Sequence, residues 1–134
     1  MTKIALAIAG SEATGGAGAQ TDIKTFHQLG VYGCTALTCI VSFDPANDFG
    51  HRFVQIDPQV IHDQIEASVG VHSQIDAVKI GMLGTVELMR AVAGWLEETR
   101  PAVVVLGHRA QDARTRLPDT IGTCHGAVNP RVSA

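Results

Sequence analysis

The chain has 134 residues, 46% of them hydrophobic and 17% charged, with a formal net charge of -3. That length suits one domain with a real core, and that composition excludes a wholly disordered chain. With no basic block and only 4% aromatic residues, nothing points to a nucleic-acid partner or a base-stacking platform.

The cysteines Cys34, Cys39 and Cys124 include no CxxC pair, and no clustered histidines accompany them, so no metal site is expected. Cys34 and Cys39 fall within an apolar run and read as buried structural thiols. The first apolar run is far shorter than the roughly 18 residues of a membrane span, and no secretory signal is recognisable, so no membrane partner and a cytoplasmic location are expected.

Lys3 to Ala9 reads as an apolar strand of a parallel sheet, buried on both faces. It leads into Ala9-Gly10-Ser11-Glu12-Ala13-Thr14-Gly15-Gly16-Ala17-Gly18, a glycine-rich turn of the kind α/β proteins use to seat small ligands. No Gly-Lys-Ser/Thr follows, so it is not a Walker loop. Ala19, Ile23, Phe26 and Leu29 then recur at helical spacing, with Gly30 placed to end the helix. Tyr32 to Val41 is a second buried strand, which completes a β-loop-α-β unit. Phe43 to Arg52, with Asp44-Pro45, Asn47-Asp48 and Gly50, predicts a loop beyond that strand, followed by a short extended piece at Phe53 to Ile56.

Asp57-Pro58 is a helix start, the Asp as cap and the Pro in the first turn, with Val60 or Ile61, then Ile65 and Val69, on its buried face. Asp76 to Ile80 is a third strand with Gly81-Met82-Leu83-Gly84 as its exit turn. Thr85 caps a helix carrying Val86, Met89, Ala93 and Leu96 as an apolar stripe, closed by Pro101. Ala102 to Leu106 is a fourth strand. This alternation predicts an α/β fold with a parallel sheet flanked by helices. From Gly107 to Ala134 no amphipathic period is recognisable, and an irregular tail is expected. A central strand such as Val103-Val104-Val105 needs cover on both faces, so residues 1–106 read as the front of a larger, here incomplete, domain.

At the glycine loop the chain resembles the vitamin-kinase branch of the ribokinase-like family: the hydroxymethylpyrimidine and phosphomethylpyrimidine kinases and the bacterial pyridoxine (pyridoxal) kinases. Ile8-Ala9-Gly10-Ser11 followed by Gly15-Gly16-Ala17-Gly18-Ala19-Gln20-Thr21-Asp22-Ile23-Lys24-Thr25-Phe26 is close to the family's A-G-S-D-S-S-G-G-A-G-I-Q-A-D-L-K-T-F. Val31-Tyr32-Gly33, Ala36-Leu37-Thr38 and Asp76 to Leu83 match in order and at the expected spacing. The resemblance covers about residues 3 to 106. It implies the N-terminal part of a ribokinase-like kinase domain. The implied reaction is transfer of the ATP γ-phosphoryl group to a hydroxymethyl group on a heteroaromatic ring, with Mg²⁺. The ring is that of a B6 vitamer, or of hydroxymethylpyrimidine (phosphate) in thiamine synthesis, and a homodimer as in the family is also implied.

The same resemblance implies a set of substrate contacts. Gly10 and Ser11 would lie against the ring, and Asp22 would bind its hydroxyl or ring substituents. By itself Asp22 is equally a first-turn residue complementing the helix dipole. Phe43 stands where the pyrimidine kinases carry the Gln of A-Q-N-T, and the Asp-Pro-x-Asn pattern followed by His51 is more similar to pyridoxine kinases. Phe43 reads as a pocket wall or core, His51 as a ligand contact or surface residue, and Met82 as pocket lining or core filler. Lys24 reads as a solvated helix residue.

The family's catalytic base sits in a downstream Gly-Ala/Thr-Gly-Asp motif, or a Gly-Ala-Gly-Cys variant, and no such motif occurs between Gly107 and Ala134. The expected continuation Asp-Pro-Val-Met after the fourth strand is replaced by Gly107-His108-Arg109-Ala110, as a frameshift or truncated gene would produce. The chain by itself is therefore expected to hold no catalytic residue, to bind ATP and Mg²⁺ poorly, and to be inactive. The alternatives are a non-catalytic vitamin-binding or interaction module and a nonfunctional truncated product.

Overall fold

The computed structural model describes residues 2–107. The expected irregular tail over 107–134, apart from Gly107, and Cys124 lie outside the described residues.

Five strands form one sheet in the order β3-β2-β1-β4-β5. They are β1 (Ile4–Glu12), β2 (Tyr32–Asp44), β3 (Gly50–Gln55), β4 (Ala77–Ile80) and β5 (Val103–Leu106), with helices α1 (Gly18–Gln28), α2 (Pro58–His72) and α3 (Val86–Thr99) between them. The most thoroughly buried strand, β1, takes the centre and pairs in parallel with both β2 and β4, while β5 extends β4 in parallel. Burial on both faces suits a run of alanine, leucine and isoleucine.

The two faces are packed differently. Leu6 and Ile8 of β1, Ala36 of β2, Val78 and Ile80 of β4 and Leu106 of β5 meet Ile61 and Ile65 of α2 and Leu88, Met89, Val92, Trp95 and Leu96 of α3 in one core. The opposite face is lined by small residues, and there α1 approaches so closely that a side chain at Gly33 would strike Ile23 and Phe26. Of the expected α3 stripe Met89 and Leu96 are buried, while Val86 and Ala93 are only half-buried, and Leu88, Val92 and Trp95 complete the inward face. In α2 the inward choice between Val60 and Ile61 falls to Ile61, and Val60 is exposed.

The caps follow the sequence. Asp57 accepts from Gln59 N at 2.8 Å, Thr85 accepts from Leu88 N at 3.2 Å, and Gly30 takes φ 71° just after α1. Among the described residues no helix is long and apolar enough to cross a membrane.

One expectation is corrected. The sheet is not wholly parallel, because Phe43 to Arg52 is not a loop. β2 runs on to Asp44, Pro45–Asn47 form a single 3₁₀ turn, and β3 returns antiparallel with Cys39 opposite Gln55 and Asp44 opposite Gly50. Asp48 and Phe49 take left-handed φ values of 50° and 53° to close the hairpin. Pro45, Asn47 and Gly50 are thus turn formers confined to the tip, and the residues around them are strand. Arg52 pairs with Asp44 across the hairpin at 2.6 Å, an exposed contact worth about 0–1 kcal/mol.

Candidate functional site at the carboxyl ends of β1 and β4

β1 does not stop at Ala9 but continues to Glu12, carrying Gly10 and Ser11 within the sheet. Between Ala9 and Ser11 the pairing with β2 slips by one residue, Ala9 facing Leu37 and Ser11 facing Ile40. The extra residue lies in β2, and such a bulge bends the strand that carries it beside the end of β1. Gly10 is buried there, and a Cβ on it would come within 2.6 Å of Cys39 Sγ.

The loop after β1 is closed by its own carboxylate. Glu12 accepts hydrogen bonds from Thr14 N (2.7 Å), Thr14 Oγ1 (2.8 Å), Gly16 N (3.0 Å) and Ala17 N (3.2 Å). The Thr14 amide and hydroxyl, helped by the Gly16 and Ala17 amides, hold this carboxyl below its ordinary range against the opposing effect of desolvation. The amides that a glycine loop would offer to an external anion are therefore engaged by Glu12. Gly18, at φ 66°, passes so near the Gly10 carbonyl that any side chain would collide with it. Gln20 ties the start of α1 back to the strand, its Nε2 donating to Ser11 Oγ at 2.7 Å and its Oε1 accepting from Glu12 N at 3.0 Å.

Asp22 lies beyond the first turn of α1, which holds no acidic residue, so the helix-dipole reading does not apply. Its carboxylate instead takes the Lys79 ammonium at 2.7 Å, with the two side chains 15% and 25% exposed. Lys24 is exposed as expected, and its ammonium donates to Gly15 O at 3.2 Å.

Met82 is half-buried in the exit turn of β4. Its carbonyl accepts from the hydroxyl of Thr38, a fully buried residue, at 2.6 Å. Gln55 Nε2 donates to the carbonyls of Thr38 (3.1 Å) and Leu83 (3.4 Å), which fastens β3 to the same turn. Phe43 and His51 are not loop residues but cross-strand partners on the hairpin, their rings 4.9 Å apart and tilted by 52°. Ala13 N donates to Val41 O at 3.3 Å, so the glycine loop and the hairpin arm share an anchor.

The fold thus gathers Gly10, Ser11, Asp22 and Met82 at the carboxyl ends of β1 and β4, and sets Phe43 against His51 on the adjoining hairpin. Three participants carry no assigned role in the sequence: Glu12, and Gln20 and Lys79, which stand inside the matching motifs. An acidic residue two before Thr14-Gly15-Gly16 is a local signal for Glu12, whereas Lys79 meets Asp22 only through the tertiary fold. Cys39 is buried and Cys34 half-buried, and desolvation raises both thiols, as fits structural residues. Among the described residues no three His, Cys, Asp or Glu side chains gather to hold a metal ion.

A mixed sheet with a parallel core, entered through a glycine turn at its central strand and edged by a short antiparallel hairpin, is that of a ribokinase-like α/β protein. The structure superimposes on Bacillus subtilis pyridoxal kinase in its ADP complex with a TM-score of 0.75 at 42% identity, over 79% of this chain and 39% of that one. Residues 12–107 match the phosphomethylpyrimidine kinase family model, and the chain belongs to that family. It is 44% identical over 102 residues to the pyridoxine kinase of Bacillus subtilis, spanning 76% of this chain and 37% of that protein. It is 38% identical over 133 residues to the hydroxymethylpyrimidine/phosphomethylpyrimidine kinase of Escherichia coli, spanning 96% of this chain and 48% of the relative. That second alignment carries on past Leu106, where the sequence motifs fade. The chain therefore spans less than half the length of these relatives.

Proposed function

We propose that the described residues form the vitamin-side half of the substrate pocket of an ATP-dependent kinase that phosphorylates the hydroxymethyl group of a B6 vitamer. Gly10 and Ser11 lie against the ring, Asp22 accepts from a ring hydroxyl, and Phe43, His51 and Met82 line the wall. The observation that carries this reading is the close-packed glycine turn at Gly10–Gly18 beside the Asp22–Lys79 pair, in a chain 44% identical to a pyridoxine kinase. Phe43 favours the B6 ring over the pyrimidine, because a phenyl ring packs on a flat heterocycle but cannot hydrogen-bond to its edge.

The nucleotide and Mg²⁺ belong to other parts of the pocket. The glycine loop does not suit triphosphate, since Glu12 holds its amides and would repel a second anion. A polypeptide of these 134 residues alone is accordingly proposed to bind vitamin without turning over ATP. A cytoplasmic location and a homodimer complete the reading.

Calorimetric titration of pyridoxine, pyridoxal and hydroxymethylpyrimidine into the purified chain, with an ADP-release assay alongside, tests it. Saturable pyridoxine binding tighter than that of the pyrimidine, without ADP release, is expected. Binding without turnover also fits a non-catalytic vitamin-binding module. Failure to bind any of the three overturns the site and leaves a nonfunctional product, while ADP release dependent on vitamin overturns the proposed inactivity.

A further inference from the structure

Lys79 sits in an unusual place for a lysine. It occupies the third position of a four-residue strand that pairs on one side with Ala7 and on the other with Val105. Its neighbours Val78 and Ile80 enter the apolar core on one face. The lysine projects to the face that α1 covers and runs toward the carboxyl end of the strand. A Cβ on Gly81 would stand 3.3 Å from its Nζ and 2.8 Å from Ala9 Cβ, and one on Gly107 would stand 3.8 Å from its Cε. The ammonium therefore lies where β1, β4 and β5 end, which is where open α/β sheets seat ligands.

A half-buried charge in an inner strand carries a desolvation cost that an apolar residue of the same length would avoid. The geometry indicates what the charge does. Asp22 reaches it from α1, 57 residues away in sequence, with Oδ2 at 2.7 Å. Among the described residues Asp22 Oδ1 has no hydrogen-bond partner. A carboxylate whose one oxygen is held by a fixed cation is oriented, and its other oxygen keeps a defined direction for a donor.

We infer that Lys79 is the positioning residue of the vitamin site: it grips one oxygen of Asp22 so that the other faces the ring hydroxyl. This rests on the proposed vitamin site and adds a residue to it. Lys79 acts through Asp22 and is not itself a ligand contact.

Titration calorimetry with pyridoxine tests the inference in the 134-residue chain, since the aldehyde of pyridoxal would condense with lysine amines and obscure the result. Wild type, Lys79→Met, Asp22→Asn and the double variant form one cycle. Lys79→Met is expected to weaken binding about tenfold, and the double variant to bind no more weakly than Asp22→Asn alone, because linked residues are non-additive. Lys79→Arg, which keeps a cation at that position, is expected to recover most of the loss. If Lys79→Met binds like wild type, or if the two losses add, the inference fails while the vitamin site stands. If wild type does not bind pyridoxine, both fail. Should Lys79→Met lose its cooperative melt, the same cycle run with Lys79→Gln, which removes the charge but keeps a polar side chain, decides: full additivity of its loss with that of Asp22→Asn overturns the proposal, and a double variant no weaker than Asp22→Asn supports it.

Discussion

Replacing Thr38 by valine removes one hydroxyl and keeps the branched shape of the side chain. Thr38 is fully buried at the bulge of β2, and its hydroxyl donates to the Met82 carbonyl at 2.6 Å, tying the central sheet to the exit turn of β4. In the valine variant that carbonyl loses its donor inside the protein. Leaving an acceptor unpaired costs about 1–3 kcal/mol, and the added apolar surface returns up to about 0.8 kcal/mol, so a net loss of about 1–2 kcal/mol is expected. For a domain of this size that corresponds to a fall in Tm of about 4–8 °C. Thr38→Ser is the control: it retains the donor and removes one methyl group, at a cost of about 1 kcal/mol. Urea denaturation followed by far-UV circular dichroism checks both. Thr38→Val melting at or above wild type, with Thr38→Ser well below it, would show that the methyl group and not the hydroxyl matters, and the reasoning would be refuted.

Gly70 and Gly94 lie within α2 and α3, and a Cβ on either meets nothing within 4 Å. Alanine at each is expected to stabilise by about 0.5–1 kcal/mol, visible as a higher urea midpoint. Gly18→Ala works in the opposite direction, since φ 66° is strained for alanine and its Cβ would strike the Gly10 carbonyl; a loss of more than about 1 kcal/mol is expected in the same assay. Stability should also fall on acidification. Glu12, held by the Thr14, Gly16 and Ala17 donors, and Asp76, held by the Lys3 side chain and the Ile4 amide, both have carboxyls lowered from their ordinary range. In that window the unfolded chain binds more protons than the folded one, so stability is fully present above the ordinary values near 4 and is lost as pH drops below them. Glu12→Gln should flatten this dependence between about pH 5 and 3, and an unchanged slope in thermal melts would remove Glu12 from the account.

Much of the fold could be read from residues that decide locally. Asp57-Pro58, Thr85 and Gly30 act through a turn of their own backbone, and the alternation of apolar strand with amphipathic helix implied the layers around β1. The hairpin escaped because its signals describe only its tip. Pro45, Asn47 and Gly50 turn the chain, while the flanking segment leaves Phe53 and Val54 exposed and shows no clean inward and outward alternation. Asp22 stands out only through resemblance, and its partner Lys79 carries no local sign. The motif containing Lys79 has the pattern of a strand, and nothing in a strand's periodicity says which distant carboxylate a lysine will meet. Glu12 carries no role in the sequence because the glycines around it signal only open backbone, whereas the loop is held by the carboxylate that fills it.

The place of β1 has a consequence for how the chain is made. Its neighbour on one side begins at Tyr32, but the other side stays open until Ala77 leaves the ribosome. At about 5–20 residues per second that interval lasts roughly 2–10 s. For those seconds the strand destined for the deepest burial presents a bare row of amide and carbonyl groups along one edge. Yield in the cell should therefore depend on how fast the stretch from Tyr32 to Ala77 is translated, and on chaperones that cover a nascent strand, more than on the final stability of the sheet.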